Sequence, residues 1–448
     1  MDAQSLEPPT ADDAQVIAQV CRGLEQVAFK GRTLDWLRAK QSKALATPRH
    51  WDLIYGSARH FFSLRREIFE YLVKPLRSKD RDLEMLLLVG AYQLRFSHRP
   101  AHAVVNNTVS ACQPLGKPWA RGLINAVLRK MQRNAPKFAA SPSTNNPEWL
   151  AQKIMQQYPD NAEALLYAMD QRAPMVLRVN TSKISRDDYC AELRTKAIPF
   201  ALSEPVQAVA LTTPQPASSL PGWAEGQIAV QELSAQFAAT IALQNIPSGA
   251  DAPVLFDACC APGGKLYQLH EQLSRRFAKY TLVGNDKSTS RLEETRKIGH
   301  RLGHSSDPKI IYQNTDATAA DALSAESFDV LIIDAPCSGS GTIRRNPDIR
   351  LLLQPEQIKK QQTVQLALLR NLWRGLKPGG TLVYSTCSVF EEENDHVIEK
   401  FVGEHPETRV QPLQLPFGGA TRFGWQMLPS EPTTDGFFYA LIRKAPAS

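Results

Sequence analysis

Apolar positions in the first third of the chain recur at helical spacing. Val16, Val20, Leu24 and Val27 stand behind Asp12 and Asp13, which predicts an amphipathic helix capped by those acids. Leu83, Leu86, Leu87, Gly90, Ala91 and Leu94 predict a second stripe. Leu123 and Val127, flanked by Ala126 and Leu128, predict a third that ends at Arg129-Lys130. Segment 134–148 is polar, carries three prolines and reads as a linker. A mixed stretch follows, with a strand-like piece at Arg178-Val-Asn-Thr181 and prolines crowded over 205–222. From about residue 250 the period changes. Short apolar runs bounded by turn residues alternate with helical segments, the pattern of a wound α/β sheet with right-handed crossovers. The expected order is a flexible tail over 1–12, an all-α domain over 13–138, a small α+β linker domain over 149–245 and an α/β domain over 246–448.

Composition narrows the class. No apolar run approaches the ~18 residues of a membrane span, and the acidic start is unlike a signal peptide. Seven cysteines, with no CxxC and no His/Cys cluster at zinc spacing, point to free thiols in a reducing cytoplasm and to no metal. The net charge of +7 is uneven: residues 1–140 hold 22 Lys+Arg against 12 Asp+Glu, and residues 101–140 hold no acid at all. That excess predicts a polyanionic partner, most simply nucleic acid, with Lys117, Arg121, Arg129 and Lys130 as candidate RNA contacts. A solvated basic helix face is the bland alternative.

The chemistry gathers at predicted strand ends. Phe328-Asp-Val-Leu-Ile-Ile-Asp-Ala-Pro-Cys337 and Gly379-Gly-Thr-Leu-Val-Tyr-Ser-Thr-Cys387 each run from a buried-strand pattern into a cysteine. Open parallel sheets carry their ligands at the carboxyl ends of the strands, so Cys337, Cys387 and Asp334 are expected on one rim. Spacing alone does not rank the two thiols. Val254-Leu-Phe-Asp-Ala-Cys-Cys-Ala-Pro-Gly-Gly-Lys265 reads as strand, glycine turn and helix start. Gly263 and Gly264 suit a close backbone approach to a ligand, although such turns also serve packing alone. Asp286 ends a second strand where ribose hydroxyls would lie, and Asp316 follows a third. GxGxxG and GxxxxGK[ST] are both missing, which disfavours NAD and a phosphate loop. A nucleoside without a pyrophosphate, such as S-adenosylmethionine, fits better. Leu376-Lys-Pro-Gly-Gly380 predicts a structural turn before a late strand.

Taken together these pieces resemble the RNA cytosine-C5 methyltransferases of the NOL1/NOP2/Sun family. The matching runs are Asp257–Lys265, Asp334-Ala-Pro-Cys337, Arg344-Arg-Asn-Pro-Asp348, Ser385-Thr-Cys-Ser388 with Glu392-Glu-Asn394, and Asp435-Gly-Phe-Phe438. The N-terminal helices resemble the RNA-binding domain of the transcription factor NusB, at Gly90-Ala-Tyr-Gln-Leu94 and Gly122-Leu-Ile-Asn-Ala-Val-Leu-Arg129. The resemblance covers nearly the whole chain. It implies a Rossmann-like, S-adenosylmethionine-dependent methyltransferase domain behind a NusB-like one, with 16S ribosomal RNA as partner and cytosine 967 as the family's target.

By the same resemblance Cys387 attacks C6 of the base and Cys337 releases the adduct after methylation. Asp334 would bond N3 and the exocyclic amine, and Lys265 would orient the cytosine or Asp334, or else face solvent. Cofactor contacts fall to Cys259, Cys260, Ala261, Pro262, Gly263, Gly264, Lys265, Asp286, Asp316 and Asp334. Arg344 and Arg345 would meet RNA phosphates, or sit as solvated loop charges. Two positions depart from the family pattern: Cys260 replaces the usual alanine and reads as a small packing residue, and Leu266-Tyr267 replace a threonine pair. A transfer RNA or another ribosomal site as substrate, or a non-catalytic assembly factor, stay open. DNA is disfavoured, because the DNA enzymes attack with the Pro-Cys thiol. A monomer is expected.

Overall fold

The computed structural model describes residues 11–41, 43–134, 145–319, 323–429 and 433–446. Most of the expected linker and tail lie outside them. The chain divides into two compact units, one of residues 1–171 with Ile343–Leu353, the other of Arg172–Thr342 with Gln354–Ser448.

The first unit is helical. Its core is built by the three predicted stripes, on Ala11–Lys30, Arg81–Phe96 and Arg121–Arg133, with Pro48–Arg59 and Phe61–Tyr71 packed beside them. Two glycines explain how closely these helices approach. A Cβ on Gly90 would meet Leu128 at 2.9 Å, and one on Gly56 would enter the Tyr92 ring. The first helix begins at Ala11, so Asp12 and Asp13 lie inside its first turn and are not caps. Asp13 instead takes an ion pair from Arg49, a second from Arg99 at 3.0 Å and a hydrogen bond from Asn107 Nδ2 at 2.7 Å. Its position near the helix start suits an acid for dipole reasons as well.

Ile343–Leu353 belongs to this helical unit although its neighbours in sequence do not. Arg350 is its anchor, with a fully buried side chain. It donates to Asp170 Oδ1 at 2.7 Å, and to the carbonyls of Arg59, Asn145 and Met169 at 2.8–2.9 Å. Asp348 Oδ2 accepts the Leu34 N–H at 2.9 Å.

The second unit holds two sheets. The strands are β1 (Met175–Val179), β2 (Phe200–Leu202), β3 (Ala208–Leu211), β4 (Ile228–Val230), β5 (Val254–Asp257), β6 (Thr281–Asn285), β7 (Ile310–Gln313), β8 (Phe328–Asp334), β9 (Leu376–Thr386), β10 (Thr408–Gln411), β11 (Gly419–Ala420), β12 (Trp425–Met427) and β13 (Phe437–Lys444). The small sheet has the antiparallel order β2-β3-β1-β4. In the large sheet β9-β8-β5-β6-β7 are parallel, and β13 adds antiparallel to β9. Apolar clusters cover both faces, which is why β8 carries the apolar run Val330-Leu-Ile-Ile333 without alternation. The order reverses on either side of β5, so the crevice between the ends of β5 and β8 is the switch point where such sheets bind ligands. Leu376–Gly380 is not a turn ahead of the strand. It lies within β9 as an irregular stretch, where the partner of Phe328 is Leu376 and that of Val330 is Thr381, with Gly379 at φ +76°. Among the described residues no helix is long and apolar enough to cross a membrane.

Arg350→Met removes the cation bonded to Asp170 Oδ1 at 2.7 Å and takes a buried donor from the carbonyls of Arg59, Asn145 and Met169. The expected loss is roughly 3–5 kcal/mol, read as a lowered urea midpoint of the full chain.

Candidate active site

The site grows out of main-chain pairing. β8 and β9 run parallel with Asp334 opposite Ser385. Just past that pair the Ala335 N–H donates to Ser385 O at 2.8 Å, and the Gly341 N–H to Cys387 O at 2.9 Å. The two loops therefore stay together beyond the sheet, and Cys337 Sγ lies 3.4 Å from Cys387 Sγ. Asp334 accepts from Lys265 Nζ at 2.6 Å and from Ser385 Oγ at 3.0 Å. Lys265 comes from the first turn of the helix Gly264–Arg276 and lies 5.3 Å above the Phe437 ring.

Beneath the thiols sits Glu393, which is fully buried. One carboxylate oxygen accepts the Ser338 N–H at 2.7 Å. The other accepts the Ser338 and Ser388 hydroxyls at 2.6 and 2.5 Å. Gln365 Nε2 donates to Glu393 at 3.3 Å and to Pro336 O at 2.9 Å. Ser338 follows one cysteine and Ser388 the other, so a single carboxylate ties the two thiol loops. Asn394 adds a bond to Ser388 O at 3.1 Å and takes one from Thr386 Oγ1 at 2.6 Å. Gly341 and Gly436 touch backbone to backbone, with a Cβ on Gly341 2.2 Å from Gly436 O, which is the packing reason for the glycine of Asp435-Gly-Phe-Phe438.

A cavity of about 220 Å³ opens at the switch point. Cys259, Ala261, Asp286, Asp316, Asp334, Cys337 and Cys387 all line it, so most of the expected site residues converge. Asp286 is held by the Ser288 N–H at 2.9 Å and by Arg291 at 3.3 Å. Asn285 bonds the carbonyls of Ala258 and Thr315 and so sets the cavity wall. Thr318 donates to Asp316 by its hydroxyl and its amide, which lowers the acid's pKa.

Pro262, Gly263, Gly264 and Lys265 do not line the cavity. The glycine at 263 has a packing cause, since it adopts φ +103° and a Cβ there would strike Tyr267 at 2.6 Å. Cys260 is likewise a packing residue, 4% exposed and placed against Gly284, with its thiol pushed up by burial.

The electrostatics separate the groups. Burial and the neighbouring Cys387 hold the Cys337 thiol well above the ordinary range, the bond to Cys387 being the larger cause. Burial presses the Lys265 ammonium down, but Asp334, Asp257 and Cys387 together outweigh it, and the net shift is upward. Asp257, at the end of β5, escaped the sequence reading because it looked like an ordinary motif position. It is fully buried, and among the described residues neither carboxylate oxygen finds a hydrogen-bond partner of normal geometry. Burial raises it to about 7, with Lys265 and the Cys259 amide offsetting only part of the effect, and Asp334 and Asp286 adding to it. Glu393 escaped as well. Burial also raises this acid, and its hydrogen bonds oppose the rise.

The expected RNA contacts divide. Arg121 and Lys130 are exposed, and Arg129 and Arg345 are partly exposed. Arg344 is 1% exposed and lies in the segment built into the helical unit, so it is not a solvated loop charge. Lys117 is committed elsewhere, to Asp80 at 3.0 Å and Asp82 at 2.5 Å.

An open parallel sheet with an acid-lined cavity at its switch point is the frame of a Rossmann-like methyltransferase, here joined to a helical NusB domain. Residues 246–443 match the model described as 16S rRNA methyltransferase RsmB/F, residues 146–218 its ferredoxin-like domain, and residues 14–133 the NusB family. The chain is 38% identical to the probable ribosomal RNA small subunit methyltransferase B of Coxiella burnetii, over 88% of this chain and 92% of that one. It is 37% identical to the ribosomal RNA small subunit methyltransferase B of Xanthomonas campestris, over 95% and 96%. The chain belongs to the 16S rRNA methyltransferase RsmB/F family. The crystal structure of PH0851 has the same fold, at TM-score 0.80 and 24% identity over 99% of this chain and 100% of that one. A methyltransferase homologue from Pyrococcus horikoshii aligns at TM-score 0.56 and 29% identity, over 66% and 95%.

Two measurements probe the buried acids. Because the folded pKa of Asp257, about 7, lies above its unfolded value, the folded state binds the extra proton between about pH 4 and 7. Stability therefore falls as pH rises through that window. Asp257→Asn should remove the loss, giving roughly 2–4 kcal/mol at pH 8 and little change at pH 4 in urea melts at both pH values. Glu393→Ala removes the acceptor shared by the Ser338 amide and the Ser338 and Ser388 hydroxyls and should cost roughly 2–4 kcal/mol. It should also slow formation of the Cys337–Cys387 disulfide by diamide, followed by thiol titration against a Glu393→Gln control.

Proposed function

We propose that this protein transfers a methyl group from S-adenosylmethionine to C5 of a cytosine in 16S ribosomal RNA, at the family's target position, cytosine 967. The observation that carries the reading is the pair of thiols 3.4 Å apart beside the Asp334–Lys265 pair. Membership of the RsmB/F family supports ribosomal RNA as the substrate class.

The cavity residues fit the cofactor. Asp286 and Asp316 offer carboxylates at the ends of β6 and β7 for ribose hydroxyls and the base edge, and the turn at Cys259–Ala261 lies beside them. When bound, S-adenosylmethionine supplies an electrophilic methyl group on a sulfonium.

The chain's own groups prepare the acceptor. Cytosine C5 is a poor nucleophile, so the ring must first be activated, and the base must leave its stack to reach the site. The family resemblance assigns the attack to Cys387, and Cys337, whose thiol its bond to Cys387 and burial hold well above the ordinary range, is the second thiol of the pair. Cys387 Sγ adds to C6, and the electron pair moves toward N3. Asp334 and Lys265 share a proton in a 2.6 Å hydrogen bond and hold it beside that nitrogen. C5 becomes enamine-like and takes the methyl group. Solvent water takes the C5 proton, the C5–H electron pair closes the C5–C6 double bond and the C6–Sγ bond breaks, which restores the aromatic ring and the Cys387 thiolate. By the same resemblance Cys337 assists this departure. Covalent addition thereby splits one difficult substitution into easier steps.

The test is methyl transfer from labelled S-adenosylmethionine to unmodified 16S RNA, with base-resolution mapping of 5-methylcytosine. One methylated cytosine is expected. Cys387→Ala should abolish both product and covalent adduct. Cys337→Ala should accumulate a slow protein–RNA band on a denaturing gel. The opposite pattern reverses the thiol assignment, and no transfer to RNA or small subunits refutes the reading.

A further inference from the structure

The helical unit contains a second concavity, of about 370 Å³, which the proposed chemistry does not use. Its walls are Tyr71, Leu76, Trp119, Leu123 and Val127, and Lys74 and Lys130 stand at its rim. Trp119 is 61% exposed and Val73, beside it, is 91% exposed. An indole left this open on a well-packed unit is an unused contact surface.

The ring is mounted on a fixed turn. Just before it, Lys117 Nζ is bound by Asp80 Oδ1 at 3.0 Å, Asp82 Oδ1 at 2.5 Å and Lys79 O at 3.2 Å. Just after it, Ala120 is fully buried. Lys117, expected to meet phosphate, thus holds the platform on which Trp119 stands.

The surroundings select the occupant. Asp80 is the one acid of the lining, and Lys117 and Arg77 both pair with it, Arg77 at 2.9 Å. Lys74 and Lys130 make no side-chain ion pair among the described residues, and both are exposed. The Tyr71 hydroxyl is buried without a hydrogen-bond partner among the described residues. An apolar protein segment would cover the indole but leave two cations and a hydroxyl unanswered. An unpaired nucleotide answers all of them, because its base has a flat face and polar edges and its neighbours carry phosphates.

We propose that this groove binds an unpaired nucleotide of the RNA, with the base stacked on Trp119 and the flanking phosphates on Lys74 and Lys130. The proposal rests on the reading of RNA as substrate and adds a place on the helical unit that holds single-stranded RNA.

The experiment is equilibrium binding of short single-stranded oligouridylate, and of a duplex of equal length, to the full chain at several salt concentrations. Trp119→Ala should weaken single-strand binding roughly tenfold, as expected for one lost stacking contact, and leave duplex binding unchanged. Trp119→Phe should restore most of the loss, and a 5-iodouridine crosslink should map to Trp119. Lys74→Ala with Lys130→Ala should weaken binding and flatten its salt dependence. Equal single-strand affinity of Trp119→Ala and wild type overturns the groove while methyl transfer by the wild type keeps the substrate reading. Loss of self-association in Trp119→Ala without loss of RNA affinity assigns the groove to a protein contact and overturns the proposal. A wild type that neither binds nor methylates RNA removes both readings together.

Discussion

The in-register pairing of β8 with β9 is the constraint on which the site depends. Asp334 faces Ser385, and each thiol lies a few residues past that last pair. A slip of one residue would turn every side chain of a strand to the other face, so the Asp334–Ser385 bond and the meeting of the thiols depend on a main-chain ladder. That ladder is secure because both faces of the sheet are covered by apolar clusters. Beyond it the loops would be free to part. Glu393 prevents this by accepting from both, and it tolerates burial only because its oxygens are occupied.

The same logic of paired buried charge recurs where modules join within the second unit. Arg178 on β1 of the small sheet has no exposed side-chain surface. It bonds Glu271 at 2.7 Å, Gln231 Oε1 at 2.6 Å and the carbonyl of Gly264. Gly264 begins the helix that presents Lys265, so the small sheet secures the turn at the end of β5. Breaking such a pair leaves a charge stranded in low dielectric, which makes the arrangement costly to disturb whatever its net contribution. The helical unit uses the device again at Arg350, two residues past the Arg344–Asp348 run, where it is an internal anchor.

Charge read along the chain was informative about domains and misleading about single residues. The acid-free stretch 101–140 does carry exposed cations, Arg121 and Lys130 among them. Lys117, from the same stretch, is spoken for by internal partners, and Arg344, expected from its motif, is buried. Asp257 and Glu393 were invisible for the opposite reason. Nothing in a strand-terminal Asp or a Glu amid acidic neighbours announces that folding will remove it from water.

Periodicity and local composition were enough to determine the helical and α/β halves, the buried parallel strands and the strand ends at which Asp334, Cys337, Asp286 and Cys387 lie. Those features follow from repeats of 3.6 and 2 residues and from turn chemistry, which are properties of neighbours in sequence. Tertiary structure alone decided that Ile343–Leu353 joins the helical unit, that Gly263 serves Tyr267, that Leu376–Gly380 is strand, and that one buried carboxylate ties two cysteine loops. Each of these depends on contacts between residues far apart in the chain, and on how much water those contacts exclude, which no local pattern encodes.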